Sequence, residues 1–223
     1  MRKWNMLALG GFLFSMSAVA TAATPYIEGQ VGYFMPSDVS TKTYSGTSSG
    51  INFTNLKGDL EYESDFSLGA EIGVSLNNGW RFSLSYRDID LSFDSGSVSG
   101  SATDGSTTID ASTGVTRSDV DALGLTFDSG ASLILVSAYY DFDNESNTTP
   151  FVGLGIGQAD VDNLQSNENA VALSGGVRHD LEGNWFISAK ASYAQIDGGE
   201  DKLGIQYEDY EVNSLDLALG LTF

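Results

Sequence analysis

The chain has 223 residues, 30 of them acidic and 10 basic, for a formal charge of −20, and it contains no cysteine. Disulfide frameworks and thiolate metal sites are therefore excluded, and the charge argues against a nucleic-acid partner, which would need clustered Lys and Arg. With 26 Gly, 12 Phe, 10 Tyr and only three Pro, the composition points to an all-β chain with tight turns.

The first element is not part of the fold. Arg2 and Lys3 form a positive start, Met6 to Val19 is apolar, and Ala20-Thr21-Ala22 supplies small residues before a cleavage point. This pattern predicts a secretory signal over residues 1–22, leaving 23–223 as one β-barrel domain. Its apolar core is shorter than the ~20 residues a spanning helix requires. Removal after Ala22 also takes away two of the bases.

From Tyr26 the sequence reads with period two. Ile27, Gly29, Val31 and Tyr33 share a face against Glu28, Gln30 and Gly32. Phe66, Leu68, Ala70, Ile72, Val74 and Leu76 then oppose Ser67, Gly69, Glu71, Gly73 and Ser75. Asn77-Asn78-Gly79 is a turn whose Asn-Gly step tolerates positive φ. It leads to Trp80, Phe82, Leu84 and Tyr86 against Arg81, Ser83, Ser85 and Arg87. Ile134, Val136, Ala138, Tyr140 and Phe142 oppose Ser137, Tyr139 and Asp141; after a short link, Val152, Leu154 and Ile156 alternate with glycines. Val171, Leu173, Gly175 and Val177 oppose Ala172, Ser174, Gly176 and Arg178. Glu182-Gly183-Asn184 turns into Trp185, Ile187, Ala189, Ala191 and Tyr193, opposite Ser188, Lys190 and Ser192. Leu215, Leu217, Leu219, Leu221 and Phe223 close the set against Ser214, Asp216, Ala218, Gly220 and Thr222. That predicts eight strands.

The links at 77–79, 143–148 and 182–184 are short. Those at about 35–64, 92–131, 160–168 and 197–211 are long and rich in Gly, Ser and Asp. Short turns on one side and long loops on the other are the plan of an antiparallel up-and-down transmembrane barrel, with the short turns periplasmic. Within 92–131, the residues Val120, Ala122, Leu123, Leu125 and Phe127 suggest a protruding hairpin. They lack the clean apolar stripe that two further barrel strands would carry.

Soluble eight-stranded carriers also alternate, so the period does not choose between water and lipid. Face chemistry does. One face is bulky and apolar; the other is Gly, Ser and Ala punctuated by charge. Eight strands leave little room inside, which favours the apolar face outward. About ten residues at ~3.3 Å, tilted ~40°, rise ~25 Å, the height of a barrel's apolar band. Trp80, Tyr86, Phe142, Trp185, Tyr193 and Phe223 then sit near stripe ends as interfacial aromatics. Glu28, Glu71, Arg81, Arg87, Asp141, Arg178, Lys190 and Asp216 fall on the inward face as a lumen charge network of near-balanced sign, with Asp180 nearby. Buried charge requires such partners.

Two motifs carry a resemblance. Ser137-Ala138-Tyr139-Tyr140-Asp141-Phe142 runs through a short turn into Thr149-Pro150-Phe151-Val152-Gly153-Leu154-Gly155-Ile156-Gly157, and Gly79-Trp80-Arg81 opens a strand closed by Ser85-Tyr86-Arg87. With the alternating terminus at Phe223, the mature chain resembles the OmpA/OmpX-like outer-membrane β-barrels, in particular the opacity-protein-like, porin-family surface antigens. The resemblance implies a bacterial cell outer membrane location, contact with its lipid and lipopolysaccharide, and recognition of Phe223 by the barrel-insertion machinery. A periplasmic peptidoglycan-binding domain after the eighth strand, and with it a cell-wall tether, is not expected.

Candidate chemistry is sparse. The single His, His179, lies near the turn at Glu182, and neither Ser174 nor Ser188 is suitably placed as its nucleophile. Carboxylates crowd the long links: Asp59, Glu61, Glu63, Asp119, Asp121, Asp160, Asp162, Glu200, Asp201, Glu208, Asp209 and Glu211. None has the loop grammar of a dedicated Ca²⁺ site; they read as solvated acids, with sharing of divalent cations with lipopolysaccharide phosphates as a further expectation. The lumen charges read as structural pairs rather than a conduction path. The expectation is thus a non-enzymatic structural surface protein without cofactor, whose loops meet host or cell-surface ligands. A small solute or ion pore is the alternative, and a lipid-modifying enzyme comes third.

Overall fold

The computed structural model describes residues 23–122, 128–142, 144–162, 164–202 and 204–223. The expected signal segment and its cleavage point lie outside the described residues, as do Leu123, Leu125 and Phe127. In chain order the strands are β1 (Ala23–Pro36), β2 (Val39–Ser40), β3 (Tyr44–Ser48), β4 (Ile51–Tyr62), β5 (Asp65–Leu76), β6 (Trp80–Leu91), β7 (Phe93–Thr103), β8 (Thr108–Thr116), β9 (Ser129–Asp141), β10 (Thr148–Val161), β11 (Glu168–Asp180), β12 (Trp185–Ile196) and β13 (Tyr210–Thr222). A single helical turn and a half, Arg117–Ala122, follows β8.

Eight of these strands close into a barrel in the order β1-β13-β12-β11-β10-β9-β6-β5, each antiparallel to both neighbours. Closure leaves the barrel no free edge. Two of its short turns reverse through glycines at positive φ, Gly79 (84°) and Gly183 (78°), a region that side chains with a Cβ avoid. The eight-stranded antiparallel architecture is the one the periodicity predicts.

The outward face is apolar over most of the wall. Leu68, Leu154, Leu217 and Leu219 are more than half exposed. Ile27, Val31, Ile72, Phe82, Val136 and Val152 stand beside them at more than a third exposed. A continuous belt of this kind has no favourable contact with water and is what a bilayer covers. Trp80, Tyr140 and Phe142 form an aromatic chain at the short-turn end, with ring centroids 5.4 and 5.3 Å apart. Trp185 and Phe223 lie exposed at the same end, whereas Tyr86 and Tyr193 sit farther along their strands on the outer wall. Tyr33 and Phe66, 5.6 Å apart, mark the long-loop end.

At the long-loop end the two faces exchange character. Outward positions become polar: Tyr86 gives way to Asp88 and Asp90, Ile156 to Gln158, Val171 to Asn169, Tyr193 to Gln195, and Leu215 to Asn213 and Glu211. Inward positions become apolar over the same span, where Phe34, Ile89, Leu133, Ala159, Ala170, Ile196 and Val212 form a buried cluster. The expectation of a small and ionic interior is therefore corrected for this end. Its physical reason is solvent: where the wall leaves lipid for water, the apolar side must turn inward.

Among the described residues, much of the long links 35–64 and 92–131 is regular strand. These strands form a second, open sheet in which β4 lies between β7 and the short β2 and β3, and β8 follows β7. β4 runs into β5 and β7 out of β6 with one or two residues between, so this sheet prolongs the β5–β6 hairpin beyond the barrel mouth. Among the described residues the protruding hairpin is β7–β8, and Val120 and Ala122 of the expected segment belong to the short helix.

Candidate functional site

Along the axis from the short-turn end, the lumen begins as an open vestibule of about 460 Å³ lined by Thr24, Ser75, Asp141, Thr149, Arg178 and Asp180, among others. Arg178 belongs here: its Nε donates to Asp180 at 2.9 Å and its guanidinium lies 3.8 Å over the Phe186 ring. It is therefore a vestibule group rather than a member of the central network.

Above the vestibule the interior is filled. Arg81 donates two bonds to Asp141, at 3.2 and 3.1 Å, with its guanidinium 4.6 to 5.6 Å from the rings of Tyr139, Phe151 and Tyr26. Such a planar cation can be held by a carboxylate and by ring faces at once. The aromatic rings reach the axis because glycines face them. A Cβ on Gly153 would stand 2.1 Å from Tyr139, and one on Gly220 2.1 Å from Phe186.

Glu71 is the centre of the next layer and is 1 % exposed. It accepts from Tyr26 Oη (2.7 Å), Gln30 Nε2 (3.2 Å), Tyr139 Oη (3.3 Å) and Lys190 Nζ (3.4 Å). Glu28 lies opposite it across β1 and β5, and the Gln30 amide also donates to Glu28 at 2.6 Å. One layer farther, Arg87 pairs with Asp216 at 2.6 Å. Glu28, Glu71, Arg81, Arg87, Asp141, Lys190 and Asp216 are thus brought together inside the lumen, with Arg178 at its mouth.

Tyr26, Gln30, Phe151 and Phe186 also carry the network, and sequence reasoning does not select them. The signal is weak: each is an inward position of a strand, but its glycine partner is visible only once the register is known. A cavity of about 40 Å³ lies between this knot and the apolar cluster, and one of about 30 Å³ lies within the cluster itself. Each has room for a few waters at most.

The open sheet has two unlike faces. Ser95, Ser97, Ser99, Ser101 and Thr103 of β7 register beside Thr116, Gly114, Ser112, Asp110 and Thr108 of β8, and beside Glu61, Asp59, Lys57 and Thr54 of β4. The opposite face carries Phe53, Leu60, Gly96, Val98, Ala102, Ile109 and Val115. Val98, Ile109 and Val115 remain exposed there. At the hairpin tip, Asp104 accepts the Ser106 and Thr107 N–H groups at 2.8 Å each, which holds its carboxyl below the usual carboxylate range.

The remaining candidates are dispersed. His179 Nδ1 meets Thr148 Oγ1 at 2.7 Å on the outer wall near the short-turn end, far along the strand from the long-loop mouth. Neither Ser174, bonded to Ser192 at 3.0 Å, nor Ser188 is its partner in the described contacts. The acids of the long links hold local structure. Asp59 bonds Ser40, Asp119 bonds Thr116, Glu200 bonds Gln165, and Glu208 pairs with Lys57. Asp201 bonds the Tyr207 hydroxyl, which burial and that carboxylate together push up to about 12. No cluster of three or more potential metal ligands occurs among the described residues.

A family model described as outer membrane protein beta-barrel domain matches residues 6–223. Among solved structures, the chain is similar to Neisserial surface protein A, with 16 % identity and a TM-score of 0.50 over 90 % of this chain and 99 % of that one. It is also similar to the outer membrane protein OprG from Pseudomonas aeruginosa, with 15 % identity and a TM-score of 0.50 over 91 % and 96 %. At these identities the likeness concerns the fold. No curated protein sequence matches the chain.

Proposed function

Because this chain belongs to the outer membrane protein β-barrel family and resides in the bacterial outer membrane, we propose that it is a non-conducting, non-catalytic surface protein. Its barrel is the anchor, and its open sheet is the part that meets other molecules. The filled lumen carries this reading: the Glu71 knot and the apolar cluster beyond it stand in series across the axis. Opening a path would require breaking buried ion pairs, which costs several kcal/mol for each uncompensated charge.

The wall itself supports the anchoring role, since its apolar belt suits lipid at every strand. Phe223, exposed at the end of the last barrel strand, is where the insertion machinery would engage the chain. The outward acids at the long-loop end, Asp88, Asp90 and Glu211, lie above the belt, where lipopolysaccharide phosphates could share divalent cations with them. The vestibule at the periplasmic end favours a second reading, a small pore, whose gate would be the knot.

Recording from the purified protein in planar bilayers decides between them. We expect a flat baseline without unitary steps across the applied voltage range. Discrete conductance that disappears on boiling the protein would establish the pore and rule out a sealed lumen.

A further inference from the structure

The open sheet has two lateral edges, built differently. On one side β3 is five residues long and slips register against β4 between Tyr44 and Gly46, while β2 has two residues. Short, irregular edges resist further pairing. On the other side β8 pairs with β7 over all nine residues without a slip. Every β8 residue is exposed, and the strand holds no Pro, Lys or Arg. Among the described residues, it has no second neighbour. Apart from Thr116, whose N–H donates to Asp119 at 3.0 Å, its outer edge therefore presents a regular row of N–H and C=O groups without a strand partner, the template that a further strand completes.

The sequence of β8 also says what fits that edge. Thr108-Ile109-Asp110-Ala111-Ser112-Thr113-Gly114-Val115-Thr116 is self-complementary about Ser112. Set antiparallel to itself with Ser112 opposite Ser112, it matches Thr108 with Thr116 and Asp110 with Gly114 on the polar face. Ile109 then meets Val115 on the apolar face, extending that face from one sheet into the next. No carboxylate opposes another. Centring on Ser112 is the sole register that engages all nine residues, and an odd shift would set apolar side chains against polar ones.

We propose that β8 pairs antiparallel with β8 of a second copy held in a facing membrane. Strand direction requires the facing arrangement. β6 leads outward from the short-turn end, β7 continues outward, and β8 returns toward the barrel mouth. Neighbours in one membrane carry β8 strands pointing the same way, whereas antiparallel pairing joins strands pointing opposite ways. The contact is isologous, so two identical edges suffice. Each single contact is modest, and many in parallel between two surfaces add avidity. The proposal rests on the open sheet being the interaction surface and identifies its partner as the same chain.

The test uses cells with short surface glycans that display the full chain, labelled in two colours. Cells bearing the protein should clump with one another and exclude cells without it. Ser112→Lys sets like charges directly opposite at the symmetry centre. It should lower clumping at least tenfold, and Ser112→Glu should do the same. Mixing S112K cells with S112E cells should restore clumps containing both colours, an outcome that a merely misfolded sheet could not give; Ser112→Ala should clump like the unsubstituted protein. Gel migration with and without boiling confirms that each variant barrel is folded. Undiminished clumping of S112K cells, failure of the mixture to restore it, or absence of clumping by the unsubstituted protein would each overturn the pairing. Equal capture of cells lacking the protein would also overturn it, while leaving the sheet as an interaction surface for a foreign partner.

Discussion

The lipid-embedded part of the barrel and the part that rises above it are one continuous set of strands with opposite cross-sections. Below, Leu154, Leu217 and Leu219 face out while Glu71, Arg81 and Lys190 face in. Above, Asp88, Gln158 and Asn213 face out while Ile89, Ala159 and Val212 face in. The backbone does not change register between them; only the surroundings change. The strand geometry is thus indifferent to which face is greasy, and the solvent on each side chooses. The lower interior must then solve a problem the upper one does not have, because its charges are cut off from water and must satisfy one another.

Breaking that lower interior should have the largest effect. Glu71→Gln leaves Lys190 without its carboxylate and should cost about 3–5 kcal/mol, the penalty of an uncompensated buried charge. Urea unfolding in lipid vesicles measures it. Adding Lys190→Met to the same chain should recover most of the loss, since removing both charges leaves neither one stranded. If the double variant is no more stable than Glu71→Gln alone, the pair does not hold the network as described.

A smaller effect sharpens the difference between barrel wall and open sheet. Leu217 and Ile109 are similarly exposed, 63 % and 61 %. Leu217→Arg puts a cation into the bilayer interior and should destabilise the barrel by about 2–4 kcal/mol. Ile109→Arg faces water and should change it by no more than about 0.5 kcal/mol. Equal costs in the same unfolding assay would mean that the apolar face of the open sheet is also covered by lipid.

This contrast also explains what the sequence reveals. Within the lipid belt, one solvent on the outer side imposes one kind of residue, so Phe66 to Leu76 or Trp80 to Tyr86 alternate without interruption. At the inversion, Tyr86-Arg87-Asp88-Ile89-Asp90 shifts its apolar residue from even to odd positions. Taken alone, that resembles a strand ending, yet the composition of the long links places their starts at about 92 and 197, and β6 does reach Leu91 and β12 Ile196, with β13 starting at Tyr210. The open sheet is harder still. Its apolar face in β7 is Gly96, Val98, Gly100 and Ala102 between serines, a composition that loops share. The inward charges are legible because they interrupt an otherwise small-residue face. Their pairings are not, since Glu71 draws on β1, β9 and β12 at once.

The smallest effect belongs to the tip of the open sheet, where water, unlike lipid, competes for every hydrogen bond. Asp104 accepts the Ser106 and Thr107 N–H groups, and these bonds favour its ionised form and lower its pKa in the folded hairpin. The sign follows from linkage. Stabilisation by the carboxylate is fully present above the unfolded value of about 3.9, and it fades as pH falls through the lower folded value. The tip should therefore be held at neutral pH and loosen only in acid, while the barrel wall stays closed. The amide proton shifts of Ser106 and Thr107, followed by NMR in detergent micelles, should titrate with a midpoint below that of an unstructured Asp. Asp104→Asn should flatten both curves without altering heat-dependent gel migration. A midpoint at or above the unstructured value would mean that the turn gains nothing from the carboxylate, and that backbone pairing of β7 with β8 alone fixes the hairpin.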